Sequence, residues 1–148
     1  MISNSKIEIL LIEDNPIEAR LIIDLFDEIK LNNIITIQDG QEALNYLYKK
    51  GKYKNSQTPS LILLELKLPK LDGNKILKII KHDEKLKIIP IIILTLFSNT
   101  DEIINAYSNY ASSVLIKPDN YEEFEDMIHS LEDFWLKKAK LPEYNLKN

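Results

Sequence analysis

Four places in the chain carry residues able to do chemistry together: Glu13-Asp14, Glu65, Thr95 and Lys117. Each directly follows or ends a short apolar run. That pattern puts them at the carboxyl ends of buried strands, where open α/β sheets build their sites. Carboxylates that share a site repel one another unless a cation or a lysine neutralises them. A set rich in oxygen and free of His and Cys suits Mg²⁺, which binds through one or two carboxylates plus waters and phosphate oxygens. A hydroxyl and an ammonium opposite the metal would hold the other oxygens of a phosphoryl group. Each residue alone has a plainer explanation. Glu13 and Asp14 suit the start of a helix, Thr95 is a β-branched strand end, and Glu65 could simply have reached solvent. Lys117-Pro118 reads as a turn whose X-Pro bond could be cis.

The elements that must position these groups follow from hydrophobic pattern. The apolar runs Ile7–Ile12, Ile34–Ile37, Leu61–Leu64, Ile88–Leu94 (interrupted by Pro90) and Ser113–Ile116 read as five strands. The run Leu61–Leu64 ends in one carboxylate, Glu65, and Pro69 stops the segment. Helical spacing follows each strand. The first helix begins at Pro16 with Asn15 as N-cap and Glu18 closing a capping box, and carries Ile17, Leu21, Ile22, Leu25, Phe26 and Ile29. The others cover Glu42–Lys50, Asn74–Lys81, Asp101–Asn109 and Tyr121–Ala139, with Gly73 as a turn before the third. Residues 51–59 read as a polar loop, and 140–148 as a polar tail. Strand and helix alternate five times, which predicts an α/β domain: a doubly wound parallel sheet covered by helices on both faces.

Composition narrows the classes. The 148 residues fit one domain, spanning 1–148 with a core of about 6–138. No cysteine is present, so disulfide and thiolate chemistry are excluded. The two histidines, His82 and His129, read as surface residues. A net charge of −4 argues against a general nucleic-acid binder. No apolar run reaches transmembrane length and no signal segment is evident, so a cytoplasmic location is expected. With only three glycines and neither G-x-G-x-x-G nor a P-loop, a nucleotide- or flavin-binding enzyme is a remote alternative.

The motifs Ile9-Leu10-Leu11-Ile12-Glu13-Asp14-Asn15, Gln38-Asp39-Gly40-Gln41-Glu42-Ala43-Leu44, Leu63-Leu64-Glu65-Leu66-Lys67-Leu68-Pro69, Leu71-Asp72-Gly73, Ile93-Leu94-Thr95 and Ile116-Lys117-Pro118 resemble the receiver domain of two-component response regulators, the CheY-like family. The resemblance runs over about residues 6–136. The long loop around Gln57 and the Phe134-Trp135-Leu136 ending look like the stand-alone group similar to phytochrome-partnered regulators. It implies a five-stranded flavodoxin-like sheet in the order 2-1-3-4-5. It also implies Mg²⁺ on Glu13, Asp14, position 65 and the backbone carbonyl of Lys67. Thr95, Lys117 and Pro118 would form the phosphoryl-binding and switch region. Position 65 would accept phosphate from a sensor histidine kinase, a phytochrome-like one by the likeness to that stand-alone group. Output would run through a protein partner, and a homodimer through helix 4, strand 5 and helix 5 is expected, with Phe134 and Trp135 at the interface.

Two residues depart from the family pattern. The acceptor position holds Glu65 where the family has Asp, and its extra methylene reaches into the space a phosphoryl group would fill. Val114 stands where the family usually has Tyr or Phe, the ring that swings inward when phosphate draws in the Thr. The expectation is therefore a receiver-like signalling module, not an enzyme, whose normal phosphoacceptance is impaired. Glu65 could imitate the phosphorylated state or lock an inactive one. The alternative is a working receiver that takes phosphate on Glu65 or on nearby Asp72.

Overall fold

A computed structural model describes residues 7–26, 32–97 and 99–144. Five strands form one parallel sheet: β1 (Ile7–Ile12), β2 (Asn32–Ile37), β3 (Leu61–Leu64), β4 (Ile91–Thr95) and β5 (Ser113–Ile116), in the order β2-β1-β3-β4-β5. The helices between and after them are α1 (Pro16–Phe26), α2 (Gly40–Leu47), α3 (Gly73–Lys81), α4 (Thr100–Ser108) and α5 (Tyr121–Glu132). This is the doubly wound flavodoxin-like architecture and strand order expected.

The period-2 pleat divides the strand residues between two cores. Leu10, Ile12, Ile62, Leu64, Ile91 and Ile93 face α2, α3 and α4, meeting Ala43, Leu47, Ile76, Leu77, Ile80 and Ala106. Ile9, Leu11, Leu61, Leu63, Ile92 and Leu94 face α1 and α5, meeting Ala19, Ile22, Phe26, Phe124, Ile128 and Leu131. Every residue of β3 and β4 is buried, as central parallel strands require.

Several boundaries differ from the sequence expectation. Ile88 belongs to a short 3-10 turn, Leu86–Ile88, and is 55% exposed; β4 begins only after Pro90. α2 starts at Gly40 because the Asp39 carboxylate accepts the N–H groups of Gln41 and Glu42. Gly73 is more than a turn: a Cβ there would collide with the Glu65 carbonyl oxygen and stand 2.6 Å from Leu66 Cα. Only glycine lets α3 press this closely on the end of β3. α5 passes into a π-helical segment, Asp133–Lys138, closed by an Ala139 N–H to Phe134 carbonyl bond of 2.7 Å. The tail is less polar in its role than its composition suggests. Leu141 is buried in the α1–α5 core, and Tyr144 packs against the opposite one. Ile29 and residues 145–148 lie outside the described residues.

Candidate functional site

The strand register builds the site. Ile12 pairs with Leu64, Leu64 with Ile93, and Thr95 with Ile116. β1 and β3 therefore end level, while β4 and β5 run two residues further and end level with each other; the next residues are Glu13 after β1, Glu65 after β3 and Lys117 after β5. Backbone bonds extend the ladder past the strands: Glu65 N–H to the Ile12 carbonyl at 3.0 Å, and Lys117 N–H to the Thr95 carbonyl at 2.8 Å.

Glu13, Glu65, Thr95 and Lys117 are all buried. The Lys117 ammonium donates to Glu13 Oε1 at 2.6 Å and to Glu65 Oε1 at 2.7 Å. Glu18 Oε1, one helical turn into α1, makes an ion pair with the same ammonium at 3.0 Å. The other carboxylate oxygens are also engaged. Glu65 Oε2 accepts the N–H groups of Leu66 (2.8 Å) and Lys67 (3.4 Å), and Glu13 Oε2 accepts the Asn15 N–H at 3.2 Å. Burial pushes the Glu13 carboxyl up to about 7, against the opposing pull of Lys117. Burial alone would lower the Lys117 ammonium; its bonds to Glu13 and Glu65 outweigh that and hold it charged above the usual lysine range.

The remaining expected residues are placed less centrally. Asp14 is exposed. Thr95 is fully buried, and its Oγ1 accepts the Phe97 N–H at 3.3 Å. Asp72 caps α3, accepting the Asn74 N–H, and makes no bond to Lys117. The Lys117-Pro118 bond is trans, which corrects the cis possibility. Val114 is half-buried and packs toward α4, while its N–H donates to the Tyr107 hydroxyl at 3.1 Å. The Lys67 side chain turns away from the cluster. It bonds Glu102 Oε1 at 2.6 Å and lies over the Phe97 ring, 5.3 Å from its centre. His82 is exposed as expected, but His129 is half-buried. Phe134 is 52% exposed and meets half-buried Trp135 edge-to-face at 5.3 Å. The two line a shallow groove of about 210 Å³ with Ser113, Leu115, Met127, Ser130 and Leu131.

The donor chemistry suits a hard divalent cation, but the placement does not. The oxygens of Glu13 and Glu65 are directed to Lys117 and to backbone N–H groups, and among the described residues no three acidic side chains are grouped to hold a metal. The arrangement as it stands is an ammonium held by carboxylates, not a cation cradle. Glu18 was assigned by sequence to a capping box. Asn15 Oδ1 caps α1, accepting the N–H groups of Ile17 and Glu18, while Glu13 Oε2 accepts the Asn15 N–H and the Glu18 carboxylate goes to Lys117. Its position one turn beyond Asp14 was the available signal, because a helix starting at Pro16 turns it back toward the strand ends.

Comparison with known proteins places this arrangement. A family model described as the response regulator receiver domain matches residues 9–129. The chain is 37% identical over 141 residues to the response regulator Rcp1 of Synechocystis sp., covering 95% of this chain and 96% of Rcp1. It is 37% identical over 129 residues to a probable methanogenesis regulatory protein, FilR2, of Methanothrix harundinacea, covering 86% and 83%. The solved structure of the phosphorylated cyanobacterial phytochrome response regulator RcpA superimposes with a TM-score of 0.91 at 36% identity, covering 94% of this chain and 100% of that one. The Mn²⁺-bound form of Rcp1 gives a TM-score of 0.89 at 36% identity, covering 92% and 99%.

Proposed function

Because the chain belongs to the response regulator receiver family of two-component signalling, we propose that it works as a receiver whose phosphoryl position is filled by its own Glu65. The observation that carries this reading is the 2.7 Å bond between Lys117 Nζ and Glu65 Oε1. Lys117 is the residue that, by family resemblance, would pair with a phosphoryl oxygen. Here a carboxylate already meets it, in a buried setting where such a contact is strong. The protein then signals through a partner surface without accepting phosphate in the ordinary way. Its upstream partner is a histidine kinase or related signalling protein, phytochrome-like by the likeness to Rcp1 and RcpA. This reading keeps the cytoplasmic location expected from sequence, and a homodimer through β5, α4 and α5 with Phe134 and Trp135 at its contact.

The test is Glu65→Asp. Shortening the side chain withdraws the carboxylate from Lys117 and opens room for a transferred group. On incubation with acetyl phosphate and Mg²⁺, intact mass should show no phosphoryl gain on wild type and a hydroxylamine-labile gain on the variant. Equal gain on both would refute the reading. It would favour the alternative of a working phosphoacceptor, which draws on the likeness to the phosphorylated RcpA structure.

Mg²⁺ binding belongs to the same proposal. The ligands would be Glu13, Asp14, Glu65 and the Lys67 carbonyl, and binding would be weak because Glu13 and Glu65 must first leave Lys117. Amide shifts of Glu13, Asp14 and Lys67 should move only at high Mg²⁺. Saturation at low concentration would contradict the competition.

A further inference from the structure

We propose that Glu18 is a charge guard, which bars phosphoryl donors and free phosphate from Lys117. The inference rests on the reading of Glu65 above and adds a second residue to the exclusion. Lys117 is met by three carboxylates. Glu13 and Glu65 are almost wholly buried, with side chains 2% and 7% exposed, whereas Glu18 is 27% exposed. Glu18 is therefore the carboxylate on the solvent side, and any anion approaching Lys117 meets it first. Two of the ammonium's three N–H groups are already given to Glu13 and Glu65. Glu18 Oε1 occupies the remaining close approach at 3.0 Å.

Helix capping does not require Glu18 to be there. In a capping box this side chain would return to the N-cap backbone N–H. That N–H is instead taken by Glu13 Oε2, and Asn15 Oδ1 takes the first free N–H groups of α1. Glu13 thus substitutes for Glu18 at the cap and leaves Glu18 free to face Lys117. Three carboxylates around one ammonium leave the cluster with surplus negative charge, which favours cations at its mouth and repels a dianionic donor.

The experiment uses the full chain. In the Glu65→Asp background, phosphorylation rates are compared with Glu18 intact and with Glu18→Gln, using two donors of different charge: acetyl phosphate, mainly a dianion at neutral pH, and phosphoramidate, mainly a monoanion. In both reactions a carboxylate oxygen at position 65 bonds to phosphorus as the bond to the leaving group breaks. Acetate departs with that electron pair in one case, and ammonia departs in the other. Glu18→Gln should speed acetyl phosphate by on the order of tenfold, since like charges a few ångströms apart near a protein surface repel by more than one decade's worth of free energy. Phosphoramidate should gain less. A gain equal for both donors, or none, overturns the guard while leaving the Glu65 reading in place. Wild type phosphorylated as readily as Glu65→Asp overturns that reading instead. A second measurement needs no transfer. In the Glu65→Asp background, inorganic phosphate should shift the Lys117 and Thr95 amides once Glu18 is Gln or Ala, but not while Glu18 is intact. Absence of shifts in both variants overturns the guard.

Discussion

Glu13 is strongly influenced by its surroundings. Its carboxyl is pushed up to about 7 by burial, from 4.5, even though Lys117 pulls the other way. In the window between those values the folded chain holds a proton that the unfolded chain has released. Stability therefore falls as pH rises from about 4.5 to 7, and by the linkage relation Glu13 contributes roughly 1–3 kcal/mol to that fall. Lys117 does not oppose it there, because its raised titration lies far above this window. Urea midpoints at pH 5 and pH 7.5 should differ in this sense for wild type, and Glu13→Gln should remove most of the difference. A midpoint that rises with pH in wild type would show that Glu13 stays ionised throughout.

At the scale of elements, the site depends on where neighbouring strands end and on the loops that leave them. β1, β3 and β5 were legible to the residue because each apolar run stops at a charge or a proline. Ile88 misled because an apolar side chain before Pro90 looks like strand, yet a 3-10 turn leaves it exposed. The π-helical end of α5 has no local signature, since a hydrogen bond shifted by one residue leaves composition unchanged. Glu13, Glu65 and Lys117 were legible as a convergence, but the pairing of Glu18 with Lys117 was not. It joins residues 99 positions apart in the chain, and local capping rules gave Glu18 another role. Coupling from site to surface is likewise an element property. Val114 has no ring to swing, and its N–H is tied to Tyr107 of α4. After phosphorylating Glu65→Asp, amide shifts in α4 should therefore stay small compared with those at Lys117 and Thr95. Large α4 shifts would reveal a route that does not need an aromatic at position 114.

Over the whole molecule, the chain's last described residues close the fold. Leu141 joins the α1–α5 core and Tyr144 packs against the α2–α3 core, so the tail reaches both sides of the sheet. The opposite feature is the partly open surface at the β5 edge, where Phe134 and Trp135 stand beside a groove. Apolar surface of this kind marks an interface more often than a bare monomer face. Sedimentation at high micromolar concentration should give a mass that rises toward two chains, related by a two-fold axis. Phe134→Lys should return it to one. A monomer mass unchanged across that range would remove the dimer from the proposal.

The contact between Glu65 and Lys117 has one more consequence. A phosphorylated receiver carries a bond that water cleaves, and its message fades on that bond's own timescale. Glu65 is joined to its backbone through carbon, and nothing in that linkage hydrolyses. Under the proposed reading, in which Glu65 stands in for the phosphoryl group, the message would have no chemical clock. It would last as long as the polypeptide does, and a cell would raise or lower it through synthesis, degradation or sequestration by a partner.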